Sequence, residues 1–221
     1  MQAGVEHFPP TSVEKIREER ANQITHGLGL ALSLVGSFVL IRSVLDRGGV
    51  WEIAGAVTYS ATLVSLYAAS TLSHSFSLPR PRHFFRTVDQ VCIFLLIAGA
   101  FTPVSLTYLR DGWWPVILIA MWVLAVWGIA AKLFRHRLEN VTVWFYVATA
   151  WMPILAAKPM IERLPEGANA LAAAGALSYM IGVWFFLRDG QYKYFHAVWH
   201  ICVIGGSACH FGVIYLCLTA V

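Results

Sequence analysis

HAVWHICVIGGSACHFGVIYLCLTAV, residues 196–221, closes the chain with an apolar run of 26 residues that contains no Asp, Glu, Lys or Arg. A run of that length can cross a hydrocarbon core of about 30 Å as one α-helix, at about 1.5 Å per residue. Its opening, His196-Ala197-Val198-Trp199-His200, puts two histidines at i and i+4, one turn apart on one helix face. Two imidazoles so spaced can reach one metal ion, as in the H-x-x-x-H half of helical zinc sites. Ionisable side chains where an apolar helix enters a membrane are costly and usually functional. Two interfacial histidines facing headgroups are the plain alternative, and the motif alone does not decide between them.

The composition extends the reading to the whole chain. Of 221 residues, 58% are apolar and 13% charged, against about 25% charged in an ordinary globular protein. This describes an all-α integral membrane protein. The net charge of +4 sits in short clusters between apolar segments, which reads as an orientation signal rather than a nucleic-acid surface. Cys92, Cys202, Cys209 and Cys217 all lie in apolar segments without a C-x-x-C pair, so they read as packing residues and not as disulfides or thiolate metal ligands. Residues 1–23 are polar and charged, with no apolar core of the signal-peptide kind.

In order, Pro9-Pro10 and Thr11-Ser12-Val13-Glu14 lead into a charged surface helix over 12–22, and seven spans follow. These are Ile24–Leu45 (with Gly27, Gly29 and Gly36), Trp51–Ser75, Thr87–Leu109 with a kink at Pro103, Trp113–Phe134, Val141–Ala157 with Pro153, Ala168–Leu187, and His196–Val221. Between them lie an Asp46–Gly49 turn, a basic loop over Leu78–His83, Arg135-His136-Arg137, a loop over Pro159–Gly167, and Arg188–Lys193. The domain reading is a cytoplasmic segment, 1–23, and a seven-helix membrane domain, 24–221.

Basic residues set the expected orientation. Lys15, Arg17, Arg20, Arg80, Arg82, Arg86, Lys132, Arg135, Arg137, Arg188 and Lys193, 11 of the 16, fall on the side of the N-terminus, and the other five fall opposite. The positive-inside rule then predicts a cytoplasmic N-terminus and an outward C-terminus. With that threading His74 ends the second span, Asp89 opens the third, and His196 and His200 open the seventh, all at one depth. Asp89 has no basic residue one turn further along its helix, and a lone carboxylate there is costly. Three histidines with an open fourth position fit a catalytic zinc, with a carboxylate holding or deprotonating the bound water. Ser70, one turn before His74, can orient that imidazole, bind a substrate group, or simply pack between helices. His26 falls near this level without being assigned as a ligand. His210 lies about 15 Å deeper and is expected to hydrogen-bond a neighbouring helix, while His83 and His136 are expected in solvent.

Several motifs together resemble the hemolysin III family within the progestin and adipoQ receptor superfamily. They are Glu19-Arg20-Ala21-Asn22-Gln23-Ile24-Thr25-His26-Gly27, Ser70-Thr71-Leu72-Ser73-His74, Asp89 followed by Ile97-Ala98-Gly99-Ala100-Phe101-Thr102-Pro103, and His196-Ala197-Val198-Trp199-His200. The resemblance implies a seven-helix bundle with an inward N-terminus and a zinc ion near the cytoplasmic face. His74, His196 and His200 would be its ligands, with Asp89 and Ser70 beside a zinc-bound water. It also points to a wider group of proposed membrane hydrolases that includes alkaline ceramidases.

The function expected is a zinc-dependent hydrolase of a lipid-like amide or ester in the cell membrane. The alternative is a non-enzymatic sensor or receptor of lipid or membrane state whose bundle the zinc stabilises. A pore ranks lowest, since pore linings carry polar stripes through several spans. The partners expected are the lipid bilayer and a lipid-like small molecule, with no nucleic acid; the oligomeric state stays open.

Overall fold

The computed structural model describes residues 12–46, 48–134 and 139–220, and the side chains within them except those of Ser12 and residues 139–142. Pro9-Pro10, Thr11 and Arg135-His136-Arg137 lie outside the described residues. Among those described the secondary structure is helical: α1 (Ser12–Leu45), α2 (Val50–Ser75), α3 (Pro79–Tyr108), α4 (Pro115–Phe134), α5 (Glu139–Ala150), α6 (Ala157–Arg163), α7 (Ala168–Phe186) and α8 (Phe195–Thr219), with a 3-10 turn at Met152–Ala156.

Six of these, α1, α2, α3, α4, α7 and α8, are long and apolar enough to cross a membrane. Their outward faces carry large apolar side chains, such as Phe38, Val123, Trp127, Leu177 and Ile201, which only a lipid surround makes favourable. The chain is a multi-pass membrane protein.

The fifth expected span, Val141–Ala157, is not one helix. Pro153 has no N–H to continue an α-helix, and the 12 residues of α5 give way to the 3-10 turn before α6 begins. At about 1.5 Å per residue α5 alone rises about 18 Å, too little for a core of about 30 Å; the five-residue 3-10 turn, at about 2.0 Å each, adds about 10 Å. The segment expected as the fifth span is therefore a short α-helix followed by a 3-10 turn, not one spanning helix. Helix α6 also occupies the first part of the expected loop over 159–167.

Two more boundaries differ. No break separates a surface helix from the first span: α1 is continuous for 34 residues, about 51 Å, so its charged first turns extend beyond the hydrocarbon. The basic stretch expected as a loop over Leu78–His83 is the first turn of α3. Pro79 and Pro81 fall where helical N–H groups lack acceptors anyway, and Leu78 ahead of them is extended (φ −69°, ψ 133°), as a residue before proline prefers. Helix α3 continues through Pro103.

Neighbouring helices follow chain order, α1 on α2, α2 on α3 and α3 on α4, while α7 packs on α8. Helix α8 returns to touch α1, α2 and α3, which closes the bundle and puts His196 and His200 beside the ends of α1 and α2. One core joins Leu40, Tyr59, Leu63, Leu66, Tyr67 and Ile214, and a second joins Phe94, Phe101, Ile117, Met121 and Val213. Gly55 permits a close approach of α2 to α3, since a Cβ there would lie 2.8 Å from Pro103 Cα. Deeper in the bundle, Ser207 of α8 is a polar knot. Its hydroxyl meets Tyr67 Oη at 2.9 Å and Tyr179 Oη at 3.0 Å, and Tyr59 donates to its carbonyl at 3.4 Å. The four cysteines are free thiols, as expected of packing residues.

Candidate metal centre

Three ring nitrogens, one each from His74, His196 and His200, lie within 4.8 Å of one another. His74 comes from the last turn of α2 and the other pair from the first turns of α8. The rings are mutually edge-on, with centroids 5.2 Å apart for His74–His196, 5.2 Å for His74–His200 and 4.6 Å for His196–His200. The three histidines expected at one depth do converge.

What each ring does with its Nδ1 fixes what remains. His74 Nδ1 is 2.8 Å from Glu19 Oε2, and His196 Nδ1 is 2.7 Å from Asp189 Oδ2. A carboxylate only accepts, so both rings donate Nδ1–H. His200 Nδ1 is 3.0 Å from Thr25 Oγ1 and 3.3 Å from the Asn22 carbonyl. The Thr25 hydroxyl gives its proton to the carbonyls of Ala21 or Asn22, at 2.9 and 3.0 Å. Its oxygen therefore accepts, and His200 too donates Nδ1–H. In the neutral ring this hydrogen-bond assignment makes Nε2 the nitrogen left free for a metal. Metal-binding histidines are ordinarily held this way, with the second nitrogen on a carboxylate or carbonyl.

The donor set fits zinc. Three nitrogens on one tetrahedral zinc, with bonds of about 2.0–2.1 Å, lie about 3.3–3.4 Å apart, so a pair at the 4.8 Å limit has to close by about 1.5 Å, a shift within reach of side-chain rotation.

The supporting residues come from elements read as polar surroundings in the sequence. Glu19 bridges His74 to Arg82 of α3, and Gln23 donates to Ser75 at 3.0 Å. Asp189 sits in the turn after α7, where its N–H reaches the Phe186 carbonyl at 3.2 Å. Tyr194 then reverses the chain at φ 63°, ψ 2°, a left-handed conformation costing a non-glycine residue about 1–2 kcal/mol, and α8 begins with His196 facing Asp189.

Ser70 and His26 form a second layer. Ser70 is 1% exposed and His26 4% exposed; His26 Nδ1 is 2.5 Å from Ser70 Oγ, and the His26 ring stacks on His200 at 3.5 Å. Asp89 lies beside the Ser70 hydroxyl, and its charge is also felt by Arg86. Asp89 is thus not the unpartnered carboxylate the sequence suggested; Arg86 stands one turn before it. If Ser70 gives its single proton to Asp89, it accepts from His26 Nδ1–H, which leaves His26 Nε2 bare. That nitrogen has no hydrogen-bond partner among the described residues.

The remaining histidines divide. His83 is exposed on α3, as expected, and His136 lies outside the described residues. His210 makes no hydrogen bond among the described residues; it packs its ring on Tyr179 of α7, centroids 5.6 Å apart.

A family model described as "Haemolysin-III related" matches residues 14–211. A protein of Bacillus cereus named "Hemolysin-3" is 37% identical over 199 residues, 89% of this chain and 90% of its own length. A "Hemolysin-3 homolog" of Bacillus subtilis (strain 168) is 33% identical over 205 residues, covering 92% and 96%. The human "Monocyte to macrophage differentiation factor" is 30% identical over 210 residues, covering 90% and 83%. No solved structure matches.

Proposed function

This chain belongs to the haemolysin-III-related family, and from that premise we propose that it is a zinc-dependent membrane hydrolase of a lipid-like amide or ester. One observation carries the proposal: ring nitrogens of His74, His196 and His200, from two helices, lie within 4.8 Å of one another while each ring commits its Nδ1 to an acceptor, which leaves Nε2 as the donor atom for a metal.

When bound there, zinc supplies Lewis acidity, lowering the pKa of a bound water to about 7 and polarising a substrate carbonyl. Glu19, Asp189 and Thr25 fix tautomer and ring direction. Asp89 is the general base and acid, taking a proton at its carboxylate and returning it to the leaving amine or alkoxide. Ser70 orients Asp89, and His26 orients Ser70. The apolar surroundings of α2, α3 and α8 suit an alkyl chain and exclude bulk water.

A second reading has its own observation. His26 stacks on His200 with Nε2 unpartnered, and as a fourth nitrogen donor it would close the site. Structural zinc sites are usually closed by four protein ligands, and the protein would then be a non-enzymatic sensor of membrane state.

Metal analysis of detergent-purified protein, with X-ray absorption at the zinc edge, separates these. About one zinc per chain, lost in His196→Ala and kept in His26→Gln and Asp89→Asn, with three nitrogens and one oxygen on the metal, supports the hydrolase and justifies assaying lipid amides. Four nitrogens, with zinc lost in His26→Gln, supports the closed site. Wild type purified without any metal defeats both.

A further inference from the structure

We propose that a groove between the start of α3 and the end of α4 is a binding site for one anionic phospholipid of the adjoining leaflet, separate from the histidine cluster. The groove encloses about 680 Å³ and is lined by Arg80, His83, Phe84, Val88, Val91 and Leu133 among others. That volume falls within the range of about 300–1,000 Å³ usual for small-molecule sites.

Its shape matches a lipid lying along the membrane normal. Residues 80, 83, 84, 88 and 91 form one stripe of α3, at helical spacings of three and four. From Arg80 to Val91 the helix rises about 17 Å, close to one leaflet's half of a hydrocarbon core of about 30 Å. The stripe carries the Arg80 guanidinium and the His83 imidazole at its outer end and is mainly apolar from Phe84 inward. Among the described residues, no acidic residue lines it.

The charge balance calls for an anion. Three arginines and His83 occupy the first two turns of α3, where the helix dipole already disfavours positive charge. Arg82 pairs with Glu19 and Arg86 stands beside Asp89, which leaves Arg80 of the three without an acidic partner among the described residues. Pro79 and Pro81 remove two of the backbone donors that would otherwise serve an anion, so recognition falls to the side chains. A phosphodiester headgroup beside Arg80 and His83, with one acyl chain along Phe84, Val88 and Val91 toward Leu133, meets both ends of the groove. Basic pockets between spanning helices are suited to such headgroups.

The test is native mass spectrometry of the protein released from nanodiscs of phosphatidylglycerol or of phosphatidylcholine. Wild type should retain one phosphatidylglycerol and little phosphatidylcholine. Arg80→Gln should weaken retention about fivefold, the effect of one cation near an anionic surface. Val91→Trp, which fills the deep end without changing charge, should weaken it at least as much while melting temperature stays at the wild-type value. Equal retention of both lipids by wild type overturns the proposal. So does loss in Arg80→Gln with full retention in Val91→Trp, which would reduce the site to surface charge attraction. Loss in Val91→Trp alone overturns the headgroup assignment.

Discussion

Replacing Asp189 by Asn keeps the shape of the side chain and an accepting oxygen, and removes only the charge facing His196. Loss of such a partner ordinarily costs 10–100-fold in metal affinity, about 1.4–2.7 kcal/mol. The His196–Asp189 bond is short at 2.7 Å, but the two side chains are 22% and 33% exposed. Solvent screening therefore places the effect near the tenfold end. Glu19→Gln should cost more, because His74 is only 10% exposed and the same carboxylate also holds Arg82. Competition for zinc with a fluorescent chelator in detergent micelles measures both, and Glu162→Gln, in an exposed helical pair at 4.0 Å with Lys158, is the control that should not move. If Asp189→Asn and Glu19→Gln both bind zinc within twofold of wild type, the carboxylates do not support the ligands, and the inference from Nδ1 to Nε2 fails.

Other perturbations reach different parts of the chain. Gly55→Ala forces a Cβ to within 2.8 Å of Pro103 Cα; overpacking of this kind costs about 1–3 kcal/mol, and thermal melting should fall while zinc stoichiometry holds. On the far side, Arg163 donates to both Asp111 carboxylate oxygens at 2.6 and 3.1 Å, which holds that carboxyl below its ordinary value. Its stabilisation is present above the ordinary carboxylate range and is lost as pH falls through the lowered value, so Asp111→Asn should slightly reduce the acid-limb loss of stability below about pH 4, by the share of one exposed pair. Single cysteines in a cysteine-free background should place Ser77 and Lys193 with the N-terminus in the cytoplasm and Gly167 outside, read by an impermeant thiol reagent; labelling of Ser77→Cys in intact cells inverts the topology. Chelation of zinc should raise amide exchange at residues 189–200 and leave the Ser207 region protected, whereas exchange throughout the bundle marks a structural metal.

The three clustered histidines were legible because their signal is local. His196 and His200 announce themselves by i, i+4 spacing, and His74 joins them once apolar spans are counted. The partners were not. Asp189 lies in a turn whose path depends on Tyr194 adopting φ 63°, which no propensity anticipates for tyrosine. Glu19 sits in a charged stretch whose composition matches a solvated surface. The break in the segment expected as the fifth span was half visible: Pro153 was evident, but whether a proline kinks a helix or ends it depends on the packing around it, and Pro103 in a continuous α3 shows the other outcome. Arg86 beside Asp89 was missed by looking only forward along the helix, although i−3 is as near as i+4.

The unbroken α1 follows from the same requirement that assembles the histidine cluster. Glu19, Asn22 and His26 stand at i, i+3 and i+7, one face of a helix, and that face meets α2 and α8. Glu19 takes His74, the Asn22 carbonyl and Thr25 take His200, and His26 takes Ser70. Each is a polar contact at a depth where an unpaired group is costly, so the four must be presented together. A hinge near residue 23, where charged sequence gives way to apolar, would free Glu19 from the register of Asn22 and His26. His74 would then lose the acceptor that fixes its tautomer. Continuity of α1 is thus a condition on the histidine cluster, and the charged first turns belong to that cluster's hydrogen bonds as much as to the membrane surface.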